Sequence, residues 1–275
     1  MASTSYIREF IVDNAIDRKP NVLCFSGLDP SGGAGIQADI EALFSCGCHC
    51  LPLVTTLTVQ DTRNAISAHA VEPTLLIAQA RAILEDVPVQ AFKIGLLSSI
   101  RTVEVIHTLL IDYPDVPVVL DPVIRAGGGY TFGGEDMVDA FHSLLLPLTT
   151  VVTPNSEELR HLSPNADCPD ACAHELLDRG CDYVLLTGTH ANTPNVVNRL
   201  YSSHGLVRSY QWPRLNNEYH GSGCTMAACM AGYLAHGLEV SEAAQQAQQF
   251  TWDSLNNGIR TGMGQLLPNR SHWTN

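Results

Sequence analysis

Short apolar runs alternate along this chain with longer stretches in which apolar residues return at helical spacing. Residues 21–26 (NVLCFS) form the first apolar run, and a glycine-rich loop leads from it into a helical pattern over 34–45. Residues 50–59 predict a second buried strand, with 65–71 a shorter partner. Pro73 then opens a helix, since proline suits a first helical turn. Further strands are predicted at 91–94, 117–120, 150–153 and 183–187. Helices are expected near 101–111 and 135–145, with two more between 155 and 182. Residues 196–203 and 205–212 form a hairpin pattern, and the last helices are predicted at 225–236 and 241–256.

Near-continuous apolar strands interleaved with helices imply an α/β fold, a mainly parallel sheet covered on both faces. Ligands in such sheets bind beyond the carboxyl ends of the strands. Gly27, Gln60, Gly95, Asp121, Asn155 and Thr187 all fall at those ends. No internal repeat or linker divides the pattern, so residues 21–270 are expected to be one domain. Residues 1–20 read as a leader that mixes acids and bases and lacks the apolar centre of a signal peptide.

Composition narrows the function. The 275 residues carry a formal net charge of −13 with only 15 Lys+Arg, which argues against a nucleic-acid or anionic-membrane surface. No apolar run is long enough for a membrane span. Nine cysteines without a small-scaffold spacing suit a reducing cytosol. Cys46, Cys48 and Cys50 alternate around His49, but zinc sites more often use paired spacings. They read as buried small hydrophobes, as do Cys168, Cys172 and Cys181.

The chemistry concentrates in His220-Gly221-Ser222-Gly223-Cys224-Thr225, directly before the small, apolar run 226–236. Glycines at a helix start let backbone N–H groups approach a ligand, and the helix dipole favours an anion there. A thiol beside such a hole is equipment for phosphoryl transfer. A free thiol of pKa ~8.5 is expected to fall at a helix N-terminus, so Cys224 reads as a base or as a positioned polar group.

Other constellations admit two readings each. The loop Gly27–Gly35 is a tight turn or a site of close backbone approach to a ligand; so many glycines favour the latter. Asp39, about one turn into the next helix, faces a substrate hydroxyl or amine in that reading. Gln60 offers donor and acceptor to a heterocycle edge, or is an ordinary loop amide. Asn155 is a routine N-cap; alternatively Asn155 and Glu158 share one helical face as an outer Mg²⁺ site, joined by Asp121. Thr187-Gly188-Thr189 is a turn or a phosphate-holding segment. Arg125 with 126–129 is a glycine-rich loop or a mobile flap that brings a cation.

In this order the motifs resemble the hydroxymethylpyrimidine/phosphomethylpyrimidine kinases of thiamin biosynthesis, in the ribokinase-like superfamily. The resemblance rests on 27–39 (GLDPSGGAGIQAD), 56–62 (TLTVQDT), 93–97 (KIGLL), 120–123 (LDPV), 153–158 and 221–225. It implies a ribokinase-like three-layer sandwich and ATP- and Mg²⁺-dependent phosphorylation of a pyrimidine hydroxymethyl group and of its monophosphate. It assigns the first glycine-rich loop to the pyrimidine rather than to ATP. Gly27, Asp39, Gln60 and Val123 would hold the pyrimidine. Asp121 and Glu158 would organise Mg²⁺, with Asn155, Thr187, Gly188, Thr189 and Arg125 on the ATP side. Gly221, Ser222, Gly223 and Cys224 would form the catalytic anion hole, with cysteine where most superfamily sugar kinases carry aspartate. His220 receives no role. Many relatives have lysine where Thr187 and Met263 stand, so this chain is expected to lean on Mg²⁺, Arg125 and backbone dipoles. A cytoplasmic homodimer is implied. The nearest rival is a pyridoxine/pyridoxal kinase of the same superfamily; a zinc-binding regulator built on residues 46–50 is the rival from another class.

Overall fold

The computed structural model describes residues 19–125, 129–188 and 193–274. Within these residues, nine strands form one sheet in the order β3-β2-β1-β4-β5-β6-β7-β8-β9. They are β1 (Asn21–Leu28), β2 (His49–Gln60), β3 (Ala65–Ala70), β4 (Ala91–Ile94), β5 (Val118–Leu120), β6 (Val151–Val152), β7 (Tyr183–Leu186), β8 (Asn195–Ser202) and β9 (Gly205–Pro213). Strands β2, β1, β4, β5, β6 and β7 pair in parallel. The edges β3, β8 and β9 join antiparallel. The predicted strands are all present, differing by a residue or two at their ends.

Among the described residues, eight helices cover the sheet: α1 (Gly35–Ser45), α2 (Pro73–Asp86), α3 (Ile100–Ile111), α4 (Glu135–Ala140), α5 (Ser156–Leu162), α6 (Pro169–Asp178), α7 (Ser222–Ala235) and α8 (Val240–Asn256). Helix α4 runs on into a wider π turn over Phe141–Leu145. Alternation along β1 explains the layering. Leu23 and Phe25 point into a core shared with α2, α3, α5 and α6, while Val22 and Cys24 point into one shared with α1, α7 and α8. Two cores on opposite faces of one sheet make the three-layer α/β/α sandwich. Burying a single large apolar side chain such as Phe25 or Phe92, both fully buried, contributes about 2–3 kcal/mol.

Helix α7 begins three residues before the predicted start, at Ser222. Its small residues allow the early start and a close fit. A Cβ on Gly232 would lie 3.1 Å from a Leu43 methyl and 3.3 Å from the Cβ of Cys46. The cysteines divide. Cys48, Cys172 and Cys181 are buried as expected, but Cys46 and Cys50 are only partly covered. Cys168 is exposed, and its sulfur accepts from Ala171 N–H at the start of α6. Among the described residues no group of three His, Cys, Asp or Glu is arranged to hold a metal ion, and no helix is long and apolar enough to cross a membrane. The leader falls outside the described residues except for positions 19 and 20.

Candidate active site

A cavity of about 730 Å³ runs along the carboxyl ends of the parallel strands. It is the location that sheet topology prescribes, since each strand delivers its terminal residues to one edge. Gly27, Gln60, Val123, Asp121, Arg125, Asn155, Glu158 and Thr187 line it, together with Gly221, Ser222, Gly223 and Cys224. Residues separated by nearly the whole chain thus share one wall.

The start of α7 sets the geometry of that wall. Gly221 adopts φ +90°, and a Cβ there would lie 1.8 Å from the Gly33 carbonyl oxygen. Only glycine fits, for reasons of both conformation and space. No side chain caps this helix, so the first-turn N–H groups of Ser222, Gly223 and Cys224 lack intrahelical partners and face the cavity as anion donors. Gly35, at φ +61°, is equally constrained: a Cβ would meet the Gly27 carbonyl at 2.2 Å. Its backbone N–H lies close enough to the Cys224 sulfur to lower the thiol's pKa, bringing the glycine-rich loop next to the helix start.

Beneath this wall lies a buried charge cluster. Lys93 is fully buried, with Nζ 2.9 Å from Asp39 Oδ1, 3.0 Å from Asp39 Oδ2 and 2.9 Å from Ser26 Oγ. Ser26 Oγ in turn donates to Asp39 Oδ2. Although burial lowers the Lys93 pKa, the Asp39 carboxylate and then Cys224 and Asp121 hold it above the ordinary lysine value. Asp39 is therefore not a wall residue: its carboxylate is fully buried and paired with Lys93 inside the protein rather than presented to the cavity. The physical reason is Lys93, whose buried charge demands a counter-charge.

Asp121 hangs from the end of β5, its N–H bonded to Ile94 O at 2.8 Å. Burial raises its pKa against the opposing pull of Lys93. Its Oδ2 is buried without a hydrogen-bond partner. A Cβ on Gly223 would sit 3.8 Å from Asp121 Oδ1, so this carboxyl group lies against the first turn of α7. Burial, then the Asp121 charge, pushes the Cys224 thiol up to about 12. This corrects the expected depression: desolvation outweighs the helix N-terminus. Cys224 is a neutral thiol at physiological pH, close enough to the Asp121 carboxylate for that charge to help raise it.

Asn155 and Glu158 form a complete capping box. Asn155 Oδ1 accepts from Glu157 N–H at 2.8 Å and Glu158 N–H at 2.9 Å, while Glu158 Oε2 accepts from Asn155 N–H at 2.9 Å. Both also line the cavity, so the two readings of this motif coexist. Burial and then Asp121 push the Glu158 carboxyl up to about 8. A Glu158 carboxyl raised by Asp121, together with the unpartnered Asp121 Oδ2, is a donor set that fits a hard divalent cation.

Gly188 stands behind the wall. Its N–H donates to Asn198 Oδ1 at 2.8 Å, and Asn198 Nδ2 donates to Gln248 Oε1 at 2.9 Å. That N–H is already paired within the protein and is not an open donor. Thr189 and residues 126–128 of the proposed flap lie outside the described residues. Arg125 is exposed at the cavity mouth.

Three residues of the site had no assigned role in the sequence. His220 Nε2 lies 2.8 Å from Asp29 Oδ2 and 2.9 Å from the Gln60 side-chain amide. Burial raises the Asp29 pKa, but the hydrogen bonds from His220 and Ser31 outweigh it and hold the carboxyl below its ordinary value. Its adjacency to Gly221 was the available signal. Lys93 sat within a recognised motif without a role. Arg270, buried at 2% exposure, lies far along the chain from its partners and had no local signal.

The sheet, its three layers and the site at the carboxyl edge define a ribokinase-like α/β fold. A solved pyridoxal kinase of Bacillus subtilis, in complex with ADP, superposes with a TM-score of 0.86 at 26% identity, covering 93% of this chain and 99% of that one. The model of the phosphomethylpyrimidine kinase family matches residues 29–269, and the chain belongs to that family. The hydroxymethylpyrimidine/phosphomethylpyrimidine kinase of Streptomyces coelicolor is 33% identical, over 89% of this chain and 92% of its own length. A thiamine biosynthesis bifunctional protein of Geobacter sulfurreducens is 34% identical over 84% of this chain. The chain spans about half the length of the bifunctional relatives it matches, 47% and 48%.

Proposed function

We propose that this protein transfers the γ-phosphoryl group of ATP to the hydroxymethyl group of a 4-amino-2-methylpyrimidine, and then to the resulting monophosphate. The observation that carries the reading is the convergence of the uncapped α7 N-terminus, Asp121 and Cys224 in one cavity at the carboxyl edge of the sheet, with the buried Lys93 charge beneath them. Family membership and the full-length relative from S. coelicolor support the substrate class.

In this reading Gly27, Gln60 and Val123 hold the ring, while Asn155, Thr187 and Arg125 border the nucleotide. The N–H groups of Ser222, Gly223 and Cys224 receive the charge on the transferred phosphoryl oxygens. The P–O bond to ADP breaks as the bond to the hydroxymethyl oxygen forms. The hydroxyl proton is lost late in such a loose transfer, so positioning outweighs base strength. That ranking suits a neutral Cys224, which stands beside Asp121 as a positioned polar group rather than abstracting a proton. Lys93 holds a fixed positive charge below Asp121 and Cys224. Asp121 and Glu158 would hold Mg²⁺, which when bound neutralises charge on the nucleotide phosphates.

The same proposal includes a cytoplasmic homodimer. The exposed Leu57, Val59 and Ile66 on β2 and β3 support an apolar contact there. The high structural similarity to a pyridoxal kinase supports a second reading, a kinase for pyridoxal. One assay separates them: ATP-dependent phosphorylation of the hydroxymethylpyrimidine, its monophosphate and pyridoxal, compared by kcat/KM. Preference for either pyrimidine is expected; preference for pyridoxal overturns the substrate, and turnover of none overturns the activity.

A further inference from the structure

Arg270 follows the last strand by more than fifty residues yet is buried against the opening loop of the domain. Its Nε donates to Thr225 Oγ1 at 2.9 Å, and Nη1 donates to Glu41 Oε2 at 2.9 Å and to Gly32 O at 3.4 Å. Nη2 donates to Gly33 O. One planar guanidinium therefore joins the glycine-rich loop, helix α1 and the first turn of α7. A lysine ammonium could not reach all four acceptors from one position.

Two of these bonds converge on Gly221 by separate routes. Thr225 Oγ1, which accepts from Arg270, donates to Gly221 O at 2.8 Å, and Thr225 N–H bonds the same oxygen at 3.0 Å. Gly33 O, the other acceptor, is the atom packed against Gly221 Cα, where an added Cβ would lie 1.8 Å away. Arg270 thus holds Gly221 from both sides, and Gly221 sets the direction of the N–H groups that follow it.

We propose that Arg270 is a positioning residue for the anion hole: it clamps Gly221 between Thr225 and Gly33 so that the first-turn N–H groups of α7 keep the orientation needed for phosphoryl transfer. The proposal rests on the kinase reading above for its kinetic consequence, and on geometry alone for its structural one. Misplacement of a reacting group by about 1 Å costs roughly 10²-fold in rate, so a loosened clamp acts on kcat more than on binding.

The test uses the full chain carrying Arg270→Lys and Arg270→Ala, the former keeping a buried cation where the latter risks misfolding. Hydrogen exchange over residues 220–226 should rise in both variants, with the central strands unchanged. With the hydroxymethylpyrimidine and ATP, kcat of Arg270→Lys should fall about tenfold or more while both KM values stay within about twofold. Added guanidinium should restore part of the lost kcat in Arg270→Ala and none in Arg270→Lys. Unchanged exchange over 220–226, or unchanged kcat in a variant that merely melts earlier, overturns the proposal. If the unmodified protein phosphorylates no pyrimidine, the activity reading fails by itself, and the exchange data still decide whether Arg270 sets the α7 start.

Discussion

Replacing Lys93 by methionine would remove the positive charge bonded to Asp39 and strand a carboxylate that is itself fully buried. Methionine fills a similar volume, so packing loss is small, and the consequence is electrostatic. Removing one partner of a buried ion pair costs about 3–5 kcal/mol. For 275 residues, an unfolding entropy of about 2.1 cal/mol/K per residue converts this to a fall in Tm of roughly 5–9 °C. The compensating double variant, Lys93→Met with Asp39→Leu, removes both charges and should recover most of that loss, since apolar replacements of buried pairs are often neutral. The assay is thermal and urea unfolding of wild type, both single variants and the double as a mutant cycle. A loss below about 1 kcal/mol in Lys93→Met, or a double variant as unstable as the two singles summed, would refute the ion pair as the reason Asp39 is withdrawn from the cavity.

Two further outcomes are expected. Glu158, whose folded pKa is raised from 4.5 to about 8, binds its proton more tightly folded than unfolded. Its contribution to stability is therefore complete below about pH 4.5 and is lost as pH rises through 8. The stability of wild type relative to Glu158→Gln should fall over that window in urea melts without divalent cation, and a flat or rising difference would contradict the burial argument. Cys224, with its thiol raised to about 12, should be alkylated by iodoacetamide at pH 8 more slowly than exposed Cys168. Faster labelling of Cys224, read by peptide mass spectrometry, would restore the thiolate base.

The capping box shows how far a local signature reaches. Asn155 with Glu158 three residues on is legible as a helix start because both hydrogen bonds lie within one turn. The elevated Glu158 carboxyl is not legible there, because it depends on Asp121 from another strand end. The helix start at Gly221 behaves the same way. Its glycines and its place before an apolar run mark an anion hole, but the neutral thiol beside it follows from burial that only packing creates.

By itself the sequence determined what short-range physics determines: apolar runs that become strands, helical spacing that becomes cover, and loops of glycine and acid placed at strand ends. That was enough for the α/β sandwich, for the edge along which the cavity lies and for most of the cavity wall. Tertiary structure alone decided which charges meet. Asp39 pairs with Lys93, 54 positions away, and so leaves the wall. His220 reaches Asp29 across 191 positions, and Arg270 reaches Gly33 across 237. The reason is range: hydrophobic periodicity is read within one element, whereas a buried charge or an open backbone group is satisfied by whatever the fold carries next to it.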